Sequence, residues 1–305
     1  MKLSIVATLF HSAPYVREFY ERIVRVAQPL TDDFEIVFVN DGSPDDAFAR
    51  VLELQRADPR VVGVDLSRNF GHHKAMMTGL AYARGERVFL IDVDLEEEPE
   101  LLTQFAAEME HRACDVVYGV QVARKGRWFE RASGELFWWL FNRLSPQPVA
   151  PNMLTARLMT RRYVRSLLRF RERELFLPGL WSMAGFEQVP LAVRKGFHGN
   201  QSTYTLRRKL TLAVNSITSF SNLPLIAIFY FGAAISALAV GYLVYVFLRW
   251  WLVSQPAGWT SVIASVWLLG GLMISFLGVI GIYLSKMFVE TKRRPFTIVR
   301  KVWRR

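Results

Sequence analysis

The sequence predicts an alternating α/β domain with a mostly parallel sheet, followed by a two-helix membrane hairpin. Three observations predict it. Short β-rich runs alternate with helical-period runs from Leu3 to Gly119. Polar clusters follow three of the β-rich runs directly. No charged residue occurs from Leu210 to Leu248 or from Trp250 to Ser285. The chain has 305 residues, 51% of them hydrophobic and 21% charged, which excludes a disordered chain. Its mean hydropathy of +0.17 is high for a wholly soluble protein. Its one cysteine, Cys114, excludes an internal disulfide framework and a multi-cysteine zinc site, and reads as a small buried side chain in a reducing compartment.

Leu3–Ala7 is a β-rich run, and Pro14–Val26 carries Val16, Phe19, Ile23 and Val26 at helical spacing. Phe34–Val39 is a β-branched and aromatic strand that ends in Asn40-Asp41-Gly42-Ser43. A helix follows over Asp45–Ala57, stopped before Pro59. Val61–Leu66 is a strand and His73–Ala83 a helix. Arg87–Ile91 is a strand that ends in Asp92-Val93-Asp94, followed by a helix over Glu98–Met109 and a strand over Asp115–Gly119. This rhythm implies a sheet covered on both faces. The apolar run after Lys2 reads as a strand rather than a signal peptide, since no small-residue cleavage site follows it.

Each charge-free stretch exceeds the roughly 20 apolar residues that a bilayer span needs. The spans fall near Leu223–Phe247 and Ser261–Tyr283, joined by the breaker sequence Gln255-Pro256-Ala257-Gly258. The net charge of +11 concentrates in this third of the chain. Residues 210–305 hold 9 Lys+Arg against the single acid Glu290, whereas residues 1–209 hold 29 against 26 acids. Arg207, Arg208 and Lys209 precede the first span, and a basic segment from Lys286 to Arg305 follows the second. The positive-inside rule then puts both termini and the α/β domain in the cytoplasm, on the inner face of a multi-pass membrane anchor. Trp250, Trp251 and Trp259 fall at the far interface. Nucleic acid is not an expected partner, because the basic residues flank a span and no nucleic-acid motif accompanies them.

In open α/β sheets ligands bind beyond the carboxyl ends of the strands, where the polar clusters lie. Asp92, Asp94 and Glu96 carry carboxylates at alternating positions, hard ligands suited to Mg²⁺ or Mn²⁺. Asp41 can accept hydrogen bonds from a base or ribose, or close an Asx turn before Gly42. Arg68 can pair with phosphate or with a nearby acid. Glu98 and Glu100 read as an acidic helix start. The adjacent His72 and His73 read as surface or supporting residues. Neither a Walker loop nor a dinucleotide glycine fingerprint is present.

These stations resemble the family 2 glycosyltransferases of the GT-A, nucleotide-diphospho-sugar transferase fold. They are Ile5 to Phe10, Phe38 to Ser43, Ser67-Arg68-Asn69-Phe70-Gly71 and Asp92-Val93-Asp94-Leu95. Val117 to Val120, Phe176 to Leu180, Ser219 to Pro224 and Glu290 to Phe296 are similar to the polyprenyl-phosphate branch. That branch includes bactoprenol glucosyltransferases and is similar to dolichol-phosphate mannose synthases. The resemblance implies inverting, metal-dependent transfer of one sugar from a nucleotide sugar to a polyprenyl phosphate, with a UDP-hexose, glucose first, as donor. It implies that Thr8, Phe10, Asp41, Arg68 and Asp92 hold the nucleotide. Asp92 and Asp94 become the catalytic pair, and Asp94, Glu96 and Asp92 the ligands of Mg²⁺ or Mn²⁺. Arg124, Arg131 and Ser133 match the acceptor-phosphate stations, and Arg194, Lys195 and Lys209 can gather the lipid phosphate electrostatically. A homo-oligomer is among the partners that the family allows.

This sequence departs from the family at Gln121, where an arginine is common, and at Thr155, where an aspartate often stands. A phosphate monoester is already an anion at neutral pH, so the loss of that aspartate does not remove the nucleophile. The expected organisation is a catalytic domain over 1–205, an interfacial amphipathic linker over 206–222, two spans within 223–285, and a basic tail over 286–305. Two other readings stay open: a polysaccharide-extending glycosyltransferase, and a catalytically weak nucleotide-sugar-binding membrane scaffold.

Overall fold

A computed structural model describes residues 1–121, 143, 152–173, 175–193, 223–252 and 259–305. The chain divides into two units, one of Met1–Asn142, Gln147–Tyr204 and Arg294–Arg305, the other of Arg143–Pro146 and Thr205–Arg293.

The first unit is built on an eight-stranded sheet. Its strands are β1 (Leu3–Leu9), β2 (Phe34–Asn40), β3 (Val61–Leu66), β4 (Arg87–Asp92), β5 (Val116–Gln121), β6 (Met153–Thr160), β7 (Gln188–Val193) and β8 (Val299–Trp303). Their order is β7-β5-β6-β4-β1-β2-β3-β8. β4, β1, β2 and β3 run parallel, as do β5 and β7, whereas β6 and β8 are antiparallel to their neighbours. The architecture is therefore a GT-A-like α/β fold with a mostly parallel sheet.

β1 and β2 are buried along their whole length, because helices cover both faces of the sheet. Ile5, Ala7, Leu9, Ile36 and Phe38 pack in one core cluster with Phe19 and Ile23 of α1 (Val16–Ala27) and Phe105 of α4 (Leu101–Arg112). The opposite face receives α3 (His72–Tyr82). A Cβ on Gly79 would lie 2.4 Å from Val6 Cγ1 and 2.9 Å from Val39 Cγ2, so only glycine lets α3 approach this closely. That approach fixes where the first turn of α3 sits over the carboxyl edge. α2 (Ala47–Ala57) precedes β3, and α5 (Arg161–Leu167) and α6 (Leu177–Met183) lie between β6 and β7.

Cys114 is buried, and burial pushes its thiol pKa up, so it behaves as an inert small side chain. Glu100 is not inside a helix turn; it occupies the N-cap position of α4 and pairs with Arg22 at 2.6 Å.

The second unit contains α7 (Leu223–Leu252) and α8 (Trp259–Thr291), both longer than the expected spans. Phe231 and Phe276 join them edge to face, with ring centroids 6.0 Å apart. Among the described residues one helical stretch, Leu268–Thr291, is long and apolar enough to cross a membrane, and Leu223–Ile235 is a shorter apolar helix. The expected linker 206–222 and the turn 255–258 lie outside the described residues.

The expected basic tail is corrected by the structure. α8 continues to Thr291, and Val299–Trp303 is an antiparallel edge strand on β3. Its basic residues bind buried acids of the sheet: Arg300 pairs with Asp65 at 3.1 Å, and Arg304 with Glu35 at 3.1 Å.

Candidate active site

Strand register brings the first site residues together. Thr8 lies opposite Asp92 on β4 and Val39 on β2, and Leu9 lies opposite Asn40. Thr8, Asn40 with Asp41, and Asp92 therefore line one carboxyl edge. His72, at the start of α3, joins two of them. Its Nδ1 shares a hydrogen bond with Thr8 Oγ1 at 3.2 Å, and its Nε2 lies 3.3 Å from Asp92 Oδ1. Burial alone would lower the His72 pKa, but the carboxylates of Asp92, Asp41 and Asp94 outweigh it and the net shift is upward. His72 is thus a member of the site that the sequence reading assigned to a supporting role. His73 points elsewhere: its Nδ1 meets the Leu175 carbonyl at 3.1 Å, and burial lowers its pKa.

The loop after β3 is held by Asp41. One carboxylate oxygen accepts the Phe70 N–H at 2.7 Å and the other the Gly71 N–H at 3.0 Å. Burial raises the Asp41 pKa, and the two amides with nearby His72 and Arg68 offset only part of the rise. Gly42, at φ +64°, lets the two loops touch: a Cβ there would lie 2.5 Å from Asn69 N and 2.6 Å from Arg68 C. Asp41 therefore shapes the loop that bears Arg68, and the Asx-turn alternative does not describe it. The Arg68 guanidinium is exposed and lies 4.2 Å over the Phe70 ring, and among the described residues it makes no carboxylate salt bridge. Phe10 stands at the rim with 49% of its surface exposed, edge to face with His11 at 4.6 Å. The His11 N–H donates to Ser43 Oγ at 2.7 Å, which ties the Phe10 turn to the Asp41 loop.

The acidic turn after β4 alternates. Asp92, Asp94 and Glu96 are half-buried, whereas Val93, Leu95 and Glu97 are buried. Leu95 adopts φ +60°, costly for a branched residue, and its burial in the core holds it there. Asp94 Oδ1 accepts the Glu96 N–H at 3.0 Å. Among the described residues no three His, Cys, Asp or Glu side chains form a ready metal cage, so the expected set of Asp92, Asp94 and Glu96 is not preassembled as three ligands. The donor chemistry still fits Mg²⁺ or Mn²⁺, which commonly takes one or two carboxylates and completes its shell with substrate phosphates and water.

Glu97 was not separated from its acidic neighbours by sequence. It is 4% exposed, and its carboxylate accepts the N–H groups of Thr155 at 3.1 Å and Ala156 at 2.6 Å. Beside it Arg157 is wholly buried, stacks on Trp181, and donates to the carbonyls of Thr155 at 3.1 Å and Leu154 at 3.0 Å. Burial pushes the Arg157 pKa down to about 9, with Glu97, Tyr163 and Tyr118 opposing. Glu97 thus fixes the backbone at Thr155. A period-two reading from Asp92 onward carries the signal, since it puts Glu97 on the core side.

The structure therefore gathers Thr8, Asp92 and His72 on one side, and Phe10, Asp41 and Arg68 on the other. The Asp94 and Glu96 turn follows β4 at the same edge. Arg124, Arg131, Ser133, Arg194, Lys195 and Lys209 lie outside the described residues.

An acidic turn and a basic loop clamped by Asp41 thus follow the carboxyl ends of the parallel strands. Residues 4–171 match the family described as Glycosyl transferase family 2. A Mycobacterium tuberculosis protein carrying a glycosyltransferase name is 50% identical over 308 residues, covering 99% of this chain and 89% of its own. The SfII prophage-derived bactoprenol glucosyl transferase of Shigella flexneri is 31% identical over 305 residues, covering 99% and 98%. Among solved structures, a Pyrobaculum calidifontis mannosyltransferase covers 95% of this chain and 86% of its own at 17% identity and TM-score 0.47, too distant to bear on the reaction. The chain belongs to glycosyltransferase family 2, and it is a glycosyltransferase.

Proposed function

We propose that this protein transfers one hexose from a UDP-sugar, UDP-glucose first among them, to a polyprenyl phosphate at the cytoplasmic face of a membrane, with inversion at the anomeric carbon. The observation that carries the donor half is that an exposed Arg68, which among the described residues makes no carboxylate salt bridge, and the Asp92–Glu96 turn follow the carboxyl ends of β3 and β4 in one parallel array. Phe10 offers a face for the base, and the Arg68 guanidinium a partner for phosphate. The bactoprenol name of a relative aligned over nearly its whole length supports the lipid acceptor. The apolar helices α7 and α8 support a two-span anchor, in which Leu268–Thr291 is the one stretch among the described residues long and apolar enough to cross a membrane.

A phosphate monoester oxygen attacks the anomeric carbon from the face opposite the nucleotide. The new carbon–oxygen bond forms as the bond to the nucleoside diphosphate breaks, and the diphosphate leaves with the electron pair. The attacking oxygen already carries charge, so Thr155 in the aspartate position need not act as a base. Asp92 and Asp94 would hold Mg²⁺ or Mn²⁺, with Glu96 beside them. The ion, when bound, supplies charge neutralisation at the departing diphosphate. Thr8 and Asp92 hold the His72 ring at the strand edge, and Asp41 keeps the Arg68 loop in place. Arg124, Arg131, Ser133, Arg194, Lys195 and Lys209 remain the proposed contacts of the acceptor phosphate.

The test is to incubate the detergent-purified protein with MnCl₂ or MgCl₂, undecaprenyl phosphate and a panel of nucleotide sugars, and to read the lipids by mass spectrometry. One added hexose mass from one preferred donor is the expected result. Long polymer supports the chain-extending reading, and donor binding without any product supports the scaffold reading; either sinks the proposal.

A further inference from the structure

We infer that β8, the strand that follows the apolar helices, is part of the donor-site scaffold, and that Arg300 is its positioning residue. The inference rests on the donor-site reading above.

Four hydrogen bonds join this segment to β3, to the loop after it and to α3. The Ser67 N–H donates to the Ile298 carbonyl at 2.9 Å. Arg300 Nη2 donates to the Ser67 carbonyl at 2.9 Å while its Nη1 donates to Asp65 Oδ2 at 3.1 Å. Thr297 and Thr78 share a hydroxyl hydrogen bond of 2.9 Å, which reaches α3, the helix that carries His72. Both backbone groups of Ser67, the residue before Arg68, are thus held by Ile298 and Arg300, at the start of β8.

The register explains how. Lys301 lies opposite Asp65 and Val299 opposite Leu66, so Arg300 is the extra residue of a β-bulge. Bulges re-aim a side chain that regular pairing would send elsewhere. Here the bulge delivers one guanidinium to two acceptors at the end of β3.

From Asp65 the connection continues inward. Asp65 Oδ1 accepts from Asn40 Nδ2 at 2.7 Å, and Asn40 Oδ1 accepts the Ser43 N–H at 3.0 Å. Ser43 Oγ in turn accepts from His11, next to Phe10. A continuous hydrogen-bonded path therefore runs from Arg300 through buried Asp65 and Asn40 to both donor loops.

The far end of the strand does different work. Trp303 packs edge to face on Phe48 at 5.2 Å, and Arg304 binds Glu35 and the Tyr82 carbonyl. Those contacts sit away from the site loops and serve the edge of the sheet. The two ends of one short strand can therefore be separated by mutation.

The full chain in detergent is titrated with UDP and MnCl₂ by calorimetry, and amide exchange is followed over residues 67–72. Arg300→Gln should weaken UDP about tenfold, within the usual size of coupling between sites. It should also speed exchange at residues 67–72, raise the donor KM and leave kcat unchanged. Arg300→Lys should recover part of the loss, and Asp65→Asn with Arg300→Gln should recover more, since no buried carboxylate is then left unpaired. Arg304→Ala should lower the melting temperature and leave UDP affinity as it was. Wild-type affinity and exchange in Arg300→Gln overturn the inference. So does equal loss of affinity in Arg304→Ala, which would make β8 a general edge cover. Should the wild type bind no UDP, the donor-site reading falls, and the exchange rates alone decide whether Arg300 holds the loop.

Discussion

Two buried carboxylates, one in each half of the sheet, do the same local job with opposite consequences. Asp41, beyond β2, accepts two backbone N–H groups of the Arg68 loop. Glu97, beyond β4, accepts two backbone N–H groups at Thr155 and Ala156. Glu97 has the buried Arg157 nearby as a countercharge, and the backbone that it holds is a strand of the sheet. Among the described residues no cation is bonded to Asp41, and the backbone that it holds is a loop beside an exposed arginine. The first arrangement fixes a strand. The second keeps a loop in shape while leaving its cationic group open to a ligand. The same motif of carboxylate on paired amides thus serves rigidity in one half and reception in the other.

The largest expected effect falls on the rigid half. Glu97→Gln turns one buried acceptor of the Thr155 and Ala156 N–H groups into a donor, and leaving a buried N–H without its charged acceptor costs about 3 kcal/mol. Thermal unfolding in detergent should show a large drop in melting temperature; a wild-type value would remove the distinction between the halves. Asp94→Ala should leave the melting temperature nearly unchanged and cut turnover at least about a hundredfold, the several kcal/mol that charge stabilisation at a leaving group supplies. Gly42→Ala should open the contact between the two donor loops and raise the donor KM, at a cost of about 1–3 kcal/mol for the strained backbone. An unchanged KM would mean that the loops need not touch.

The smallest effect is a difference in pH response. Burial alone would raise the Asp115 pKa, but hydrogen bonds from Arg162 and Thr160 outweigh it and hold the carboxyl below its usual range. Its stabilisation is present above the unfolded carboxylate pKa and is lost as pH falls through the folded value. Asp41 has the opposite sign: its raised pKa makes the folded state gain stability as pH falls through that value. The melting-temperature advantage of wild type over Asp115→Asn should therefore shrink on acidification. Relative to Asp41→Asn, the wild type should gain. Parallel trends in the two variants would contradict the contrast.

Much of the reception half was legible in the sequence. β2, β3 and β4 are apolar runs that stop at polar clusters, and those stops bear Asp41, Arg68 and Asp92 of the candidate site. β6 was not legible, because its buried Arg157 interrupts the apolar pattern. β8 was masked by its own charge: basic residues after an apolar span read as a membrane flank, and the buried acids that they meet, Asp65 and Glu35, lie far away in sequence. His72 could have been found from its place just after the Ser67–Gly71 cluster, at a helix start facing the strand ends.

The most direct test of the contrast is an amide-exchange footprint of the full chain in detergent, with and without UDP and MnCl₂. Protection by the nucleotide at residues 8–12, 40–43, 67–72 and 92–96, with residues 153–160 already slow and unchanged, is the predicted result. Protection confined to 153–160, with the Arg68 loop exchanging as before, would contradict the account.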